Sequence, residues 1–540
     1  IASIARGAYE PDGAFAGLVP PEELAAAVGD GGGRGDHRRG HDVSHGLAAA
    51  AWRAFAPGAR PELRARLDAF RRANAGWLER DALHAALAAV YGTGDARRWP
   101  DDVERTLWAA DDDVRRERRA ALARTHAEAI ERYAFAQLVA HVEHARVRAH
   151  VAALGLSLYA DLQVGYSETD AWTQAAAFMP RYLMGAPPSR TNPDGQPWGY
   201  PVLDPAQLEA GGAARALVRA RADKAFAEYD SLRVDHPHGL VCPWVYRAEA
   251  TPPLAAVRGG ARLFESPDLP DHPELARWAR VEPAQLDRSQ PRHGDHWVRA
   301  LTPAQVDRYA VLVDELVAAA RRHGRDPADL SCEVLSTMPR PLGAVLARHG
   351  LGRWRVLQKA NLDDPADVYR SEQAARADWV MLGTHDTASI FAVLDGWDEA
   401  RRARWATHLA RRLRLPPSAE AVGALAGEPG LFAAAMLADG LASPAENALV
   451  FFADLFGYRE RFNAPGTVND DNWSLRLPST FADVYRERLE RGAALDLPRA
   501  IALALHVRGA APALIARTAA AGTPLPPLLA AALRAPPSPA

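Results

Sequence analysis

The chain of 540 residues is long for one ordinary domain and can bury a large core. Hydrophobic residues make up 48% of it and the net charge is −3, which together predict a soluble globular protein. This charge balance argues against a nucleic-acid-binding surface, and no stretch approaches the roughly 20 apolar residues of a membrane span.

The N-terminal part of the chain shows two compositions. Residues 28–46 are rich in Gly, Asp, Arg and His, which predicts a mobile loop. Residues 47–154 follow a helical pattern rich in Ala, Leu and Arg, and we predict a helical insertion there, with Pro61–Ala75 and Arg115–Leu154 as its clearest helices. The acidic run 111–113 stands where carboxylates favour a helix N-terminus.

From residue 154 onward, short apolar runs alternate with long helical or irregular stretches. The runs are Leu156–Val164, Leu232–Asp235, Leu330–Leu335, Trp354–Leu357 and Val380–Gly383. Such alternation is typical of parallel strands joined by crossover helices. The sequence indicates the start of one crossover helix clearly, because Thr302-Pro303-Ala304-Gln305 supplies a cap, a first-turn proline and a capping-box glutamine. We expect it to run to about Arg322.

Two segments rich in proline, 185–205 and 250–295, are too irregular for core elements and are predicted to be loops above the catalytic face of a barrel. Trp198 in the first of them can offer a flat face to a sugar or be buried as a structural residue. Trp473 in the loop 463–473 is open to the same two interpretations, a sugar contact or a buried structural residue.

Three of the apolar runs deliver a carboxylate where a strand meets a loop, at Asp235, Glu333 and Asp386. Burying a charged group at such a point is costly unless something uses it. Each acid taken alone is better explained as a strand-end cap or an ion pair. Three acids at strand ends are what a parallel barrel needs to surround one sugar ring, so together they favour a glycan-processing enzyme.

The three acids suit different roles. A retaining glycosidic reaction needs an ionised carboxylate that attacks the anomeric carbon and a protonated carboxyl about 5 Å away. Asp235 is the candidate nucleophile, because Arg233 shares its strand face and favours the ionised form. Glu333 has apolar neighbours that favour the protonated form, as a general acid requires. Asp386, beside His385, would hold sugar hydroxyls and stabilise the developing positive charge.

A metal site is the main alternative interpretation of Asp235-His236-Pro237-His238, with His293 and His296 as further candidate ligands. Pro237 is expected to end the strand, which separates the two histidines that would otherwise share a face. A zinc or iron site also needs a second constellation of this quality, and the sequence offers none. No Gly-rich phosphate loop precedes a Lys-Ser/Thr helix, so nucleotide chemistry has no support.

Several motifs in order along the chain resemble the 4-alpha-glucanotransferases of glycoside hydrolase family 77, also called amylomaltases or disproportionating enzymes. The resemblance covers roughly residues 9–478. Its motifs are Tyr9 with Phe15-Ala16-Gly17, Asn74…Trp77-Leu78…Asp81-Ala82-Leu83, Trp99-Pro100, Asp161, Gly195-Gln196-Pro197-Trp198-Gly199, Arg233-Val234-Asp235-His236, Glu333, Gly383-Thr384-His385-Asp386 and Asn463-Ala464-Pro465-Gly466-Thr467…Trp473.

The resemblance implies an α/β fold, a (β/α)8 TIM barrel with helical subdomains, in which 1–540 form one catalytic domain and 47–154 an insertion within it. It implies retaining transfer of an alpha-1,4-glucan segment to the 4-hydroxyl of another glucan, with no metal and no organic cofactor. Asp235 would be the nucleophile, Glu333 the acid/base and Asp386 the transition-state stabiliser. The implied substrate contacts are Arg233, His385, Asp161, Tyr9, Gln196 and Trp198.

The sequence departs from the family pattern beside each acid. Pro237-His238-Gly239 replaces the usual Phe-Arg-Gly, Val334-Leu335-Ser336 replaces Asp-Leu-Gly, and Thr387-Ala388-Ser389 replaces Asn-Asp-Thr. These changes leave the acids in place but leave chain-length preference and acceptor choice open. The family has two strands before the position of Tyr9, so we expect this sequence to be N-terminally incomplete.

Two alternatives to a transferase remain at the level of sequence: an alpha-glucan hydrolase on the same barrel, and a non-catalytic glucan-binding protein. The expected partners are maltooligosaccharides and alpha-1,4-glucans, with neither nucleic acid nor membrane, and the oligomeric state stays open. Cys242 and Cys332 are too few for a disulfide framework and are expected to be reduced, buried thiols in a cytoplasmic protein.

Overall fold

The computed structural model describes residues 6–28, 33–55, 60–189, 192–416 and 418–534. It shows an α/β protein whose described residues divide into two compact units. The first unit holds the described residues of 1–29, 38–330 and 337–349. The second holds those of 30–37, 331–336 and 350–540.

A parallel pair of strands, Tyr159–Leu162 and Ser231–Val234, lies in the first unit, with Asp161 opposite Arg233. Both strands overlap apolar runs predicted to be strands. The predicted crossover helix is also confirmed: it spans Pro303–Arg322 and begins with a capping box between Thr302 and Gln305. The Thr302 Oγ accepts from the Gln305 backbone N–H, and the Gln305 side chain accepts from the Thr302 N–H in return.

Helices fill the predicted insertion 47–154 and extend beyond it. The helices of the first unit are Pro21–Ala26, His37–Ala54 (all but its first residue), Pro61–Ala73, Ala75–Tyr91, Asp102–Arg105, Asp113–Thr125, Ala127–Ala153, Glu168–Thr173, Ala213–Glu228, His238–Val241, Pro253–Arg258, Pro303–Arg322 and Arg340–His349. Asp112 of the acidic run caps Asp113–Thr125 through the Arg115 backbone N–H, as its position predicts.

The loop predicted for residues 28–46 is wrong from His37 onward, where the helix His37–Ala54 begins. The second half of this helix buries Leu47, Ala50 and Ala51 against the helical core, and that burial extends the helix through the Gly- and His-rich part. Residues 29–32 of the predicted loop lie outside the described residues.

A four-stranded antiparallel sheet in the first unit was not predicted. Its strands, in spatial order, are Gln196–Leu203, Phe178–Ala186, Trp244–Arg247 and Ala261–Arg262. The loops predicted over 185–205 and 250–295 are therefore wrong for Gln196–Leu203 and for Ala261–Arg262. The strand Gln196–Leu203 lies at an edge of the sheet, where proline's missing N–H costs nothing, and it tolerates Pro197 and Pro201 for that reason.

The second unit contains a parallel three-stranded sheet in the order Asn447–Leu449, Trp379–Met381, Trp354–Val356, and the two-residue strand Ser331–Cys332. Its helices are Ile390–Asp395, Glu399–Arg412, Ala419–Gly427, Pro429–Ala442, Phe452–Leu455, Phe481–Glu490, Leu497–Val507, Pro512–Ala520 and Pro527–Arg534. The helix Pro429–Ala442 is buried along nearly its whole length and forms the centre of a large apolar cluster.

No single helix among the described residues is long and apolar enough to cross a membrane. One pair, Ala419–Gly427 and Pro429–Ala442, passes that test of length and composition only when taken together, and it is bent by 106°.

A buried arginine–glutamate pair lies at the end of the strand Ala261–Arg262. Glu265 is 1% exposed and Arg262 is 2% exposed, with 3.5 Å between the Arg262 Nε and a Glu265 carboxylate oxygen. Arg262 also donates to the backbone carbonyl of His293. Burial raises the pKa of Glu265 from 4.5 to about 7, although the positive charge of Arg262 opposes this shift.

This raised pKa predicts that the protein loses stability as the pH rises from about 4.5 to about 7. In that range an unfolded Glu265 is ionised, whereas the folded one still holds its proton. The loss should be on the order of 3 kcal/mol and should level off above about pH 7. Glu265→Gln should remove this pH-dependent contribution of Glu265 to stability. In urea titrations, the free energy of unfolding of wild type should therefore fall relative to that of the variant between pH 5 and pH 8. Glu209→Gln, at an exposed position, is the control, and equal pH profiles for wild type and Glu265→Gln would contradict the prediction.

Candidate active site

The candidate active-site residues of the first unit are organised around Arg233. One terminal nitrogen of its guanidinium donates to the Asp161 carboxylate at 2.6 Å and the other donates to the Asp235 carboxylate at 2.9 Å. Asp161 and Arg233 are register partners on adjacent parallel strands, and Asp235 follows Arg233 by two residues on the same face. A guanidinium between two carboxylates offsets their repulsion and fixes both in orientation.

Asp235 lies at the carboxyl end of its strand. Its backbone N–H donates to the Leu162 carbonyl at 3.0 Å, which continues the parallel ladder one step beyond Val234. Its second carboxylate oxygen accepts from the Val164 N–H at 3.3 Å. The chain then turns sharply at His236, whose φ is +40°, an uncommon conformation for a residue with a side chain. The strand therefore ends by presenting Asp235, as its sequence position predicts.

His236 and His238 face different partners. The His236 ring nitrogen lies 3.4 Å from an Asp235 carboxylate oxygen. The His238 Nε2 lies 3.1 Å from the Thr337 backbone carbonyl. The two rings nevertheless lie only 5.9 Å apart, so the expectation that Pro237 separates the two side chains is wrong.

An aromatic patch borders His236 in the first unit. The Trp198 ring meets the His236 ring edge to face at 5.3 Å, and its indole N–H donates to the Gln196 side-chain oxygen at 2.9 Å. Gly199 has a φ of +75°, and its N–H donates to the Tyr246 hydroxyl at 3.0 Å. The unexpected edge strand thus places Gln196 and Trp198 beside the residue that follows Asp235.

Tyr9 lies apart from this group, in the core of the helical region. It is 2% exposed and packs edge to face on Phe15 at 6.4 Å. Burial, with a smaller effect from Glu143, raises the pKa of its hydroxyl. A substrate contact by this side chain would require it to become exposed.

Glu333 belongs to the second unit and is 2% exposed. It follows the strand Ser331–Cys332 directly, so the acid stands at a strand end as predicted. The carbonyl of the next residue, Val334, accepts from the Trp354 N–H at 3.2 Å, which anchors the backbone after the acid to the neighbouring apolar run.

Asp386 lies in a tight turn that follows the strand Trp379–Met381. Its side chain accepts from the Asn463 amide at 2.6 Å, and the His385 Nε2 lies 3.5 Å from the same carboxylate oxygen. The Arg461 guanidinium donates to the Asp386 backbone carbonyl at 3.3 Å. The predicted loop that begins at Asn463 therefore contacts the predicted stabilising aspartate directly.

The far end of that loop presents Trp473 beside His385. The two rings lie 5.2 Å apart at an angle of 34°, and Trp473 is 44% exposed. Its φ is +61°, which is strained for an aromatic residue. The Asn472 side chain ties the loop together by accepting from the Ala464 N–H and donating to the Thr467 carbonyl. These bonds hold an exposed indole next to the His385-Asp386 pair.

Sequence reasoning missed three residues that contact these groups: Tyr246, Arg461 and Asp454. Asp454 is 0% exposed and binds the backbone at both ends of the turn that carries Asp386. A signal for it does exist, because it is the single charged residue in the apolar run Phe451–Phe456.

Comparison with known proteins shows the family. A model of the 4-alpha-glucanotransferase family, glycoside hydrolase family 77, matches residues 34–481. The chain belongs to this family.

Among solved structures, amylomaltase from Streptococcus agalactiae in complex with acarbose superposes with a TM-score of 0.64 at 16% identity, covering 88% of this chain and 84% of that one. Amylomaltase from Corynebacterium glutamicum gives 0.58 at 18% identity, covering 84% and 59%. At these identities the two structures show a shared fold.

Curated family members match over shorter stretches. The chloroplastic/amyloplastic 4-alpha-glucanotransferase of Oryza sativa subsp. japonica is 28% identical over 201 residues, which is 35% of this chain and 32% of the rice protein. The 4-alpha-glucanotransferase of Thermus thermophilus is 30% identical over 229 residues, 40% of this chain and 43% of that protein. The matched region therefore spans less than half the length of either relative.

Proposed function

We propose that this family 77 chain is a 4-alpha-glucanotransferase, which moves alpha-1,4-glucan segments between maltooligosaccharides. The observation that carries the proposal is the Asp161–Arg233–Asp235 group at the carboxyl ends of two parallel strands. It supplies a carboxylate held by a cation where a parallel α/β fold binds its substrate. The relatives named as 4-alpha-glucanotransferases and the fold shared with an acarbose-bound amylomaltase support the same conclusion.

The proposed reaction runs in two displacement steps. The Asp235 carboxylate attacks the anomeric carbon and the glycosidic C–O bond breaks, while the Glu333 carboxyl donates its proton to the departing 4-oxygen. The resulting glycosyl ester on Asp235 is then attacked by the 4-hydroxyl of an acceptor glucan, whose proton passes to the Glu333 carboxylate, and Asp235 is released.

The remaining residues are proposed to bind and stabilise the sugar. Asp386, held by Asn463 and next to His385, would stabilise the oxocarbenium-like charge and bind ring hydroxyls. Arg233, Asp161, Gln196, Trp198 and His385 would contact the glucan, and Trp198 would offer an aromatic face. The buried position of Tyr9 supports packing of the helical region better than a substrate contact.

We also propose the (β/α)8 barrel of the family for the catalytic domain 1–540, with the helical insertion 47–154. The support is the pattern of parallel strands and crossover helices, including Pro303–Arg322, together with the fold shared with the amylomaltases. The proposed location is the cytoplasm, where Cys242 and Cys332, both buried and unpaired, would stay reduced. The proposed reaction uses no metal and no organic cofactor.

Incubation of the protein with maltotriose tests the transferase assignment. Disproportionation should yield glucose together with maltopentaose and longer chains, because water is kept from the glycosyl ester while a sugar hydroxyl is admitted. A glucan hydrolase would yield only products shorter than maltotriose. A glucan-binding protein would yield none. Either of the last two product patterns, separated by chromatography, would contradict the proposal.

A further inference from the structure

Asp454 is a buried acid that the proposed reaction does not use. It lies on the short helix Phe452–Leu455 of the second unit and is 0% exposed. One carboxylate oxygen accepts from the Ile390 N–H at 2.6 Å and the other accepts from the Gly383 N–H at 3.2 Å. Among the residues that the structure describes, none forms an ion pair with it.

The two N–H groups bound by Asp454 stand at the two ends of one turn. Gly383 follows the strand Trp379–Met381, and Ile390 is the first residue of the helix Ile390–Asp395, whose first N–H groups have no partner within the helix. His385 and Asp386 lie between them. The Ser389 hydroxyl adds a second connection by donating to the Tyr458 carbonyl, four residues after Asp454.

The turn itself leaves little freedom between these anchors. The Thr387 hydroxyl oxygen accepts from the Thr384 N–H at 2.9 Å, and the Thr384 hydroxyl oxygen accepts from the Asp386 N–H at 3.2 Å. A Cβ added at Gly383 would come within 2.7 Å of the Thr387 hydroxyl and 3.2 Å of the Asp454 carboxylate. The backbone at Gly383 therefore packs directly on the carboxylate that binds it.

A buried carboxylate without a cation is unfavourable. Burial raises the pKa of Asp454 to about 7, although its two backbone hydrogen bonds oppose that shift. An apolar side chain would fill this space without that cost but would leave the Gly383 and Ile390 N–H groups unpaired. The buried carboxylate is therefore explained by the two backbone N–H groups that it binds, because these bonds fix the geometry of the turn.

We propose that Asp454 is a positioning residue that acts through Asp386. By holding both ends of the turn 383–390, it keeps the Asp386 carboxylate at the place where positive charge develops on the sugar. This inference rests on the proposed function, since it concerns the same reaction.

Asp454→Asn tests the inference. An amide has one acceptor oxygen, so its NH2 group faces one of the two backbone N–H groups and one anchor is lost. A displacement of about 1 Å at a reacting group can lower the rate about 100-fold. We therefore expect kcat for maltotriose disproportionation to fall about 100-fold and KM to change by a much smaller factor, because the positive charge that Asp386 stabilises develops only in the transition state.

Asp439→Asn is the matched control. Asp439 is a second buried acid of the same unit, 5% exposed, and it binds the Ser371 hydroxyl and the Arg412 guanidinium instead of the turn. Its replacement should lower the Tm but leave kcat of the folded enzyme within about 2-fold of wild type. An equal loss of kcat in both variants would show a general effect of destabilisation and would overturn the inference.

A double-variant cycle separates positioning from an independent role. In an Asp386→Asn background, adding Asp454→Asn should lower kcat by less than about 3-fold, because the carboxylate that Asp454 positions is already gone. A further loss of about 100-fold would overturn the inference.

Gly383→Ala provides a second route if Asp454→Asn does not fold. The added methyl group would push the turn away from an intact Asp454 carboxylate, so kcat should again fall by a larger factor than KM changes. A folded Gly383→Ala enzyme with wild-type kcat would overturn the inference. Failure of the proposed function would look different, since the wild-type protein would then produce no chains longer than maltotriose.

Discussion

Replacing Asp235 by Asn is expected to lower kcat for maltotriose disproportionation by about 10,000-fold or more, because an amide oxygen cannot form the glycosyl ester. The substitution keeps the size of the side chain and an acceptor for Arg233, so binding of the substrate should persist. The measurement is the rate of glucose release from saturating maltotriose, with the Tm recorded to show that the variant is folded.

Asp161→Asn is the matched control for Asp235→Asn. Asp161 binds the other terminal nitrogen of the same guanidinium, and 48% of its side chain is exposed. Its replacement removes the negative charge from one of the two anchors of Arg233 without removing the attacking group. We expect a rise in KM and a loss of kcat below about 10-fold. If Asp235→Asn retained kcat within about 10-fold of wild type, or if Asp161→Asn were the more damaging change, Asp235 would not be the nucleophile.

Glu333→Gln is expected to affect the two steps of the reaction differently, depending on the donor. With maltotriose, kcat should fall about 1,000-fold, because the leaving 4-oxygen is no longer protonated. With alpha-maltosyl fluoride the first step should stay close to the wild-type rate, since fluoride departs with its electron pair and needs no proton. The second step stays slow without a base for the acceptor hydroxyl. A maltosyl ester should therefore accumulate on Asp235 and appear in the mass of the intact protein.

Two outcomes would contradict the acid/base role of Glu333. One is a first step that slows with the fluoride donor by the same factor as kcat falls with maltotriose, which would show that leaving-group protonation is not what the residue supplies. The other is an ester that still forms in the double variant Asp235→Asn/Glu333→Gln, which would place the covalent bond on another residue. The double variant is therefore the control for the mass measurement.

The parallel strands were predictable because their signal is local. A strand that is buried between neighbouring strands has a continuous apolar sequence. The two-residue period of a strand places Arg233 and Asp235 on one face. The observed bond between them confirms that inference. The capping box at Thr302 was predictable for the same reason, since all of its partners lie within three residues.

The antiparallel sheet was not predictable from the same kind of evidence. Proline in Gln196–Leu203 argues against a central strand, and only the position of this strand at a sheet edge makes its two prolines acceptable. The helix His37–Ala54 was missed in a similar way, because the contacts of its second half with the helical core outweigh the weak propensity of its first half.

By itself the sequence determined the types of chemical group available at the strand ends: the acids Asp235, Glu333 and Asp386, the adjacent Arg233, and the family they indicate. Only the tertiary structure decided which side chains support them, since Asn463 reaches Asp386 and Asp454 reaches Gly383 across more than 70 residues. Hydrogen bonds between distant segments leave no periodic pattern in a single sequence, because their partners are chosen by packing and not by spacing along the chain.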